Sequence, residues 1–221
     1  MDLLTVDAAA CTRDGMCAKV CPLGCIEMGA DGLPRETPDA LCMSCGHCVS
    51  VCPHGALTNS LLDARAGLPV STKMANAQAV RDLMLSRRSI RAYKDKLVAP
   101  ETLAWLLDTS RFAPTTSNTQ KVSWIACLDP AKTRSVAELI SEWMRRSVHL
   151  SVYMKKMVEM WDQGQDSILH GAPAFVAAYS PADYVWGAVD CGIALTYMEL
   201  AAASTGLGAC WVGILVSRPQ N

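Results

Sequence analysis

Eight of the chain's eleven cysteines lie between Cys11 and Cys52, in a stretch too short to build much apolar core of its own. Thiols crowded in this way staple a fold through disulfides or through metal. The chain begins MDLLTVD, without the basic and apolar segments of a signal peptide. We therefore expect a reducing cytoplasm and metal–thiolate chemistry rather than disulfides.

The second cysteine block has the spacing Cys42-x2-Cys45-x2-Cys48-x3-Cys52-Pro53. Bacterial ferredoxins wrap a cubane iron–sulfur cluster with this spacing, and the cysteine before proline serves the other cluster of a two-cluster fold. Structural zinc is the alternative, but zinc knuckles lack the third closely spaced cysteine and the Cys-Pro ending. The block resembles the bacterial-type ferredoxin family, and the resemblance covers about residues 5 to 60.

The first cysteine block, Cys11-x2-Asp14-x2-Cys17-x3-Cys21-Pro22, has an aspartate where the second cysteine would stand. The ferredoxin resemblance implies that the blocks exchange their last cysteines. One cluster is then held by Cys42, Cys45, Cys48 and Cys21, and the other by Cys11, Cys17 and Cys52 with whatever Asp14 supplies. A carboxylate is a harder and more exchangeable iron ligand than a thiolate. The second of these clusters is thus a [4Fe-4S] with one oxygen ligand, or a [3Fe-4S] beside which Asp14 is a turn residue.

Three later segments carry the other chemistry, and the first is Arg87-Arg88-Ser89-Ile90-Arg91. Clustered guanidinium groups can grip a phosphate through bidentate, charge-assisted hydrogen bonds. The segments Ala113–Gln120 and Gly206–Gly213 follow, and the three in this order resemble the nitroreductase family of FMN flavoproteins from about residue 77 to 215.

The nitroreductase resemblance implies a role for each matching position. Arg87, Arg88, Ser89 and Arg91 would hold the FMN phosphate and ribityl chain. Asn118 and Gln120 would face the polar edge of the flavin, and a backbone N–H of Val212-Gly213 would approach flavin N5. Electrons enter and leave the flavin at N5, so no catalytic side chain is expected.

The chain therefore divides into a ferredoxin-type domain at 1–60, a linker at 61–76 and an FMN domain at 77–221. Apolar periodicity in the last part predicts helices and strands interspersed without a βαβ repeat, which favours an α+β fold. We expect helices at 77–88, from 99 onward, and at 131–140, 147–161 and 185–204, with strands at 123–128, at 174–179 and after Gly206.

Asp190 and Glu199 interrupt the longest apolar segment, 184–211, which therefore predicts a buried helix rather than a membrane span. The net charge of −1 and the absence of a basic stripe argue against nucleic acid. The resemblance implies a homodimer with FMN at its interface and the helix 185–204 as a contact surface. Family members usually continue further, with a basic residue and a tail that embraces the partner. Compared with that pattern, we expect a domain that is short at its C-terminus, by nature or by truncation, which would bear on FMN affinity and dimer stability.

These features predict an oxidoreductase in which clusters, or NAD(P)H stacked on the flavin, supply electrons to FMN and then to a small acceptor such as a nitroaromatic or quinone. A redox protein would be the donor to the clusters. A non-catalytic electron carrier or redox sensor is the competing hypothesis. Reductive dehalogenation or desaturation are alternatives on the same fold, because fold does not determine substrate.

Overall fold

The computed structural model describes residues 2–62, 75–147 and 150–215. They group into two compact units: the first holds the residues before Ala75 together with Ser117–Thr119, and the second holds the remainder. Most of the predicted linker, residues 63–74, lies outside the described residues, as does the end of the chain from residue 216.

The first unit consists of short elements arranged as two similar halves. They are β1 (Leu4–Val6), α1 (Met16–Lys19), β2 (Ile26–Met28), β3 (Pro34–Glu36), α2 (His47–Ser50) and β4 (Leu57–Asn59). Strands β1 and β4 pair antiparallel with Leu4 opposite Asn59, and β2 and β3 pair with Ile26 opposite Glu36. The first and last strands thus close the unit on itself.

Each short helix of the first unit begins after a left-handed glycine. Gly15 and Gly46 have φ angles of 71° and 74°, a region that suits glycine because it has no Cβ. Two residues earlier, Arg13 and Ser44 are also left-handed, with φ of 57° and 52°. The same backbone path therefore occurs twice. The buried side chains of this unit include Cys25, Ile26, Cys48 and Leu57, a core that is small for a stable fold without metal.

The second unit has longer elements. They are α3 (Ala77–Ser86), α4 (Pro100–Ser110), β5 (Ser123–Cys127), α5 (Pro130–Arg146), α6 (Val152–Asp162), β6 (Phe175–Tyr179) and α7 (Gly187–Ser204). Strands β5 and β6 form an antiparallel pair with Ser123 opposite Tyr179. Helix α4 packs against α7, and α5 packs against α6. Mixed helices and two-stranded sheets confirm the predicted α+β class.

Capping side chains explain where these helices begin. Asn76 accepts hydrogen bonds from the N–H groups of Gln78 and Ala79, and Asp129 caps α5 in the same way. The helix expected from residue 147 instead begins at Val152. Ser147 is extended and ends α5, and the Ser151 hydroxyl accepts from the N–H of Met154 to start α6.

The strand predicted after Gly206 is wrong. Residues 207–212 take no regular secondary structure, and Gly213–Leu215 form a single 3₁₀ turn. A strand needs a ladder of bonds to a neighbouring strand. Among the described residues, the one backbone bond that links residues 208–212 to a distant segment runs from the N–H of Ile90 to the carbonyl of Ala209.

Helix α7 is the predicted apolar helix. It buries one face, made by Asp190, Ala194, Met198 and Ala201, while Val189 and Tyr197 on other sides are exposed. In this single chain the helix is therefore only half covered. Among the described residues, no helix is both long enough and apolar enough to cross a bilayer.

Candidate functional site

Four of the predicted cluster ligands line one cavity of the first unit. Cys42, Cys45 and Cys48 come from the second block, and Cys21 comes from the first. Cys21 ends the loop after α1, and the other three lie on the turn that leads into α2 and on α2 itself. The folded chain thus brings together the set that an exchange of the last cysteines requires.

Hydrogen-bond donors are aimed at several of these sulfurs. The N–H of Ser44 donates to Cys42 Sγ at 3.4 Å, and the N–H of Cys25 donates to Cys21 Sγ at 3.2 Å. His47 Nδ1 lies 3.2 Å from Cys45 Sγ. Such donors stabilise the negative charge of thiolates bound to iron, so the residues present fit an iron–sulfur cluster.

The thiol pKa values reflect the same surroundings. Burial raises the pKa of Cys21, but the backbone N–H groups of Cys25 and Leu23 outweigh it, so its pKa lies below the usual value. Burial raises the pKa of Cys25 and of Cys48. Of these two thiols in the same cavity, Cys21 therefore loses its proton more readily than Cys25.

The thiolates surround the cavity rather than meeting at a point. Within the described residues, no three His, Cys, Asp or Glu side chains stand close enough to hold one metal ion. A cubane cluster does not require such convergence. Each of its four ligands binds a different iron, so the ligands are spread around the cluster.

Asp14, the aspartate of the first block, already has partners for both carboxylate oxygens. Oδ1 accepts the N–H of Met16 at 2.9 Å, and Oδ2 accepts the Thr12 hydroxyl at 3.1 Å. This is an Asx turn at the start of α1.

In the same half of the site, Cys52 Sγ accepts the N–H of Ala56 at 3.3 Å. Burial raises the pKa of Cys17.

The arginine segment Arg87–Arg91 follows α3 in the second unit. Arg87 Nη1 forms an ion pair with Glu199 Oε1 at 3.0 Å, a partner that the sequence had not indicated. Arg88 donates to the carbonyls of Leu85 and Arg87, and Arg91 donates to that of Ser89 at 3.4 Å. Arg88, Ser89 and Arg91 are exposed.

The arginine segment and the glycine segment 206–213 lie side by side. The N–H of Ile90 donates to the carbonyl of Ala209 at 2.9 Å. A Cβ built on Gly208 would stand 2.7 Å from Ile90 Cγ1, closer than real contacts allow. The two segments approach each other only because residue 208 has no side chain. Two of the three segments that carry the flavin resemblance are therefore neighbours in the fold.

Three residues of the 113–120 segment have left-handed backbones. Ser117, Asn118 and Gln120 have φ of 50°, 52° and 50°, and each such residue costs about 1 kcal/mol or more. Strain of this kind concentrates at functional sites. Asn118, which groups with the first unit, donates from Nδ2 to the carbonyl of Ser44 at 2.8 Å. The N–H of Gln120 donates to the Thr115 hydroxyl at 3.0 Å.

Asp190 anchors the start of that segment. It is 1 % exposed and accepts from the N–H and the hydroxyl of Thr116 and, at 2.6 Å, from the Tyr184 hydroxyl. An unpaired buried carboxylate would be costly, so these donors hold the loop in place. In the sequence, Asp190 stands out as a charge within an apolar segment. Thr116 lies 74 residues away along the chain, so local patterning carries no signal for the pair.

Val212 and Gly213 lie at the end of the glycine segment. The Val212 side chain packs against the core of Ile140, Met144 and Ile168. The side chain is thus partly buried and directed toward the core, which leaves the backbone of this residue for contact with a ligand. Gly213 has open space around its α-carbon.

Fold and site together define an α+β protein of two units, with a cysteine-lined cavity in the first unit and an arginine–glycine site in the second. The family model described as "Nitroreductase family" matches residues 84–217, more than half of the chain, and the chain belongs to that family. The model described as "4Fe-4S dicluster domain" matches residues 3–53. The predicted family and the predicted front domain are both confirmed.

Similar proteins are flavin enzymes by name. The chain is 28 % identical to "FMN reductase [NAD(P)H]" of Bacillus subtilis over 62 % of this chain and 55 % of that protein. It is 26 % identical to "FMN reductase (NADPH)" of the same organism, over 60 % and 53 %. The chain therefore spans about half the length of these curated relatives. A nitroreductase with bound FMN from Bacteroides fragilis has a TM-score of 0.54 at 23 % identity, over 63 % of this chain and 71 % of that one, which supports the fold.

Proposed function

We propose that the chain is an iron–sulfur flavoprotein oxidoreductase that takes up electrons one at a time at the cysteine site and delivers them to a small organic acceptor such as a nitroaromatic or quinone. When bound, the clusters supply one-electron steps and FMN supplies one- or two-electron steps. One observation carries the proposal: a cavity lined by four ferredoxin-type cysteines occurs in the same chain as a nitroreductase-family domain.

In this proposal the second unit binds FMN through its arginine segment. Arg88, Ser89 and Arg91 are exposed on a segment held against the glycine turn, and they would hold the phosphate and the ribityl chain. Arg87 would share this task while Glu199 orients its guanidinium. Asn118 and Gln120 would face the flavin's polar edge, and Val212 and Gly213 would offer a backbone N–H. The FMN bound in the Bacteroides nitroreductase supports this cofactor.

In the first unit, Cys21, Cys42, Cys45 and Cys48 would hold one cubane. Cys11, Cys17 and Cys52 would hold the other cluster. Both oxygens of Asp14 already accept hydrogen bonds, which favours a three-iron form over an oxygen-ligated cubane. About seven irons per chain would support that form, about eight would support two cubanes, and about four would leave the first block empty.

NAD(P)H is the second electron source in the proposal, because both Bacillus relatives are named for it. The chain would act in the cytoplasm as a homodimer. The half-covered helix α7, with Val189 and Tyr197 exposed, supports the dimer.

The test compares two donors in anaerobically purified protein. Reduced ferredoxin and NADPH are supplied separately, and reduction of a nitroaromatic is followed for wild type, Cys45→Ser and the control Cys127→Ser. Cys45 lines the cluster cavity, whereas Cys127 lies on β5 of the second unit. We expect Cys45→Ser to lower the ferredoxin-driven rate at least about tenfold and to spare the NADPH-driven rate, because removing a metal ligand affects only the cluster route.

Two results would contradict the proposal. A wild-type ferredoxin-driven rate in Cys45→Ser would show that electrons bypass the cysteine site. Cluster absorbance without flavin, and without turnover of any acceptor, would leave only a carrier or sensor.

A further inference from the structure

The two halves of the first unit correspond residue by residue. The N–H of Cys25 donates to Cys21 Sγ, and the N–H of Ala56 donates to Cys52 Sγ, each four residues after the Cys-Pro cysteine. Strands β2 and β4 then follow at the same offset. By this correspondence Asn59, the last residue of β4, is the equivalent of Met28, the last residue of β2.

Asn59 is a buried polar residue, 7 % exposed, on the wall of the cavity that the four cysteines line. Its Oδ1 accepts the N–H of Leu61 at 2.9 Å, which determines how the side-chain amide is turned. The Nδ2 group therefore faces the cavity, and it donates to Cys42 Sγ at 3.6 Å. One hydrogen bond of the Asn59 side chain thus fixes its orientation, and the other reaches the sulfur of a proposed cluster ligand.

Met28 has no such group. A thioether is only a weak acceptor and cannot donate a hydrogen bond to a sulfur. Its side chain instead lies beside the left-handed Gly15, where a Cβ would be 3.7 Å from Met28 Cγ. The two halves are otherwise similar, but only the half that contains Asn59 has a side-chain donor at this position.

We propose that Asn59 is a positioning residue that acts through Cys42 to raise the reduction potential of the cluster held by Cys21, Cys42, Cys45 and Cys48. Reduction adds one electron, which the titrant supplies, and much of the added negative charge resides on sulfur. A donor to Cys42 Sγ stabilises the reduced form more than the oxidised form. The two clusters are thereby made unequal, and the electron rests preferentially on the Asn59 side. This inference uses the cysteine assignment of the proposed function.

The test is an anaerobic dithionite titration followed by electron paramagnetic resonance. Asn59→Leu removes the donor without adding charge. Asn59→Asp keeps an oxygen for the Leu61 N–H but loses the donor and adds a negative charge. The matched control is Met28→Leu, at the corresponding place in the other half.

We expect Asn59→Leu to lower the reduction potential of this cluster. The ratio of oxidised to reduced cluster should rise about tenfold at a given potential, which corresponds to about 59 mV for one electron. Asn59→Asp should shift it further in the same direction. Met28→Leu should leave it unchanged. In resonance Raman spectra the Fe–S(Cys) stretch should move to higher wavenumber in Asn59→Leu and stay in place in Met28→Leu, because the lost hydrogen bond strengthens the iron–thiolate bond.

A wild-type potential in Asn59→Leu with full iron content would overturn the inference and leave the proposed function intact. A shift in Asn59→Leu with none in Asn59→Asp would also overturn it, because the Leu61 contact would then be the cause. If Asn59→Leu fails to retain iron, Asn59→Asp decides alone, and an unchanged potential there counts against the inference. Wild-type protein without iron would overturn both proposals.

Discussion

At the scale of single residues, His170 reports on the arginine segment. Burial lowers its pKa below the usual value; the charge of Asp166 raises it, and the charge of Arg91 lowers it. His170 also has a left-handed backbone, with φ of 57°. A titratable ring that senses Arg91 can show whether Arg91 receives an anion.

We expect FMN to raise the pKa of His170, because a phosphate held by Arg91 offsets the positive charge that now lowers it. The measurement is an NMR titration of the His170 ring against pH, with and without FMN. In Arg91→Gln the pKa of apo His170 should already be higher, and FMN should bind about 10- to 100-fold more weakly because a charge-assisted bond is lost. The exposed Arg81→Gln on α3 should behave as wild type. An unchanged His170 titration upon saturation with FMN would argue against a phosphate at Arg91.

A second residue-scale prediction concerns Asp190. Asp190→Ala would leave the Tyr184 hydroxyl and the Thr116 N–H without their acceptor in a buried site. We expect a loss of about 3 kcal/mol in the free energy of unfolding and weaker FMN binding, because Thr116 opens the 116–120 turn. Denaturant unfolding measures the loss. Asp183→Ala, an exposed acid nearby, should change stability by less than about 0.5 kcal/mol. Equal stability of the two variants would refute the anchoring role.

At the scale of elements, the approach of the arginine segment to the glycine turn depends on Gly208. Gly208→Ala would place a methyl group 2.7 Å from Ile90 Cγ1, so one segment must move. We expect Gly208→Ala to lower the free energy of unfolding by about 1–3 kcal/mol and to weaken FMN binding clearly. In Gly192→Ala on α7 the new methyl would meet Trp211 at an ordinary 3.7 Å, and removal of a helical glycine should stabilise by about 0.5–1 kcal/mol. Thermal midpoints that fall equally in both variants would contradict this account.

The sequence predicted what depends on local spacing. The spacing of the second cysteine block indicated that Cys42, Cys45 and Cys48 lie around one site, and all three line the same cavity, since a tight loop is determined by neighbouring residues. Pro100 and Pro130 stand at the first turns of α4 and α5, where proline is well tolerated, so helix starts were also accessible. The helix expected from residue 147 had the wrong start, because periodicity outweighed the capping signal of Ser151.

Contacts between residues far apart in the chain leave no signal in local spacing. Arg87 pairs with Glu199 across 112 positions, and Thr116 meets Asp190 across 74. The strand expected after Gly206 failed for the same reason, since a strand exists only if another segment pairs with it. For Asn59 a signal was available: when the two cysteine halves are aligned, this polar residue takes the position that Met28 has in the other half.

At the scale of the whole molecule, charge is divided unevenly along the chain. The first 60 residues hold seven acidic and three basic side chains, while the overall net charge is only −1. The remainder is therefore basic. An acidic cluster-binding part favours encounters with basic redox proteins, and a basic flavin part favours anionic cofactors such as FMN and NADPH. This division supports the proposal that a protein donor and a nicotinamide deliver electrons at separate points.

The exposed side of α7 leads to a prediction about the whole molecule, namely that two copies associate through this helix. The helix buries Asp190, Ala194 and Met198 within its own chain but exposes Val189 and Tyr197, and an apolar face of this kind is stable when a second copy covers it. We expect light scattering of the wild type to give a mass of twice the 23.8 kDa of one chain. Val189→Asp should shift it toward the monomer, because a buried charge without a partner would oppose association. Leu97→Asp, an equally drastic change at an exposed leucine outside α7, should remain dimeric. A monomeric wild type at micromolar concentration, or a Val189→Asp protein that dimerises like the wild type, would exclude α7 as the contact surface.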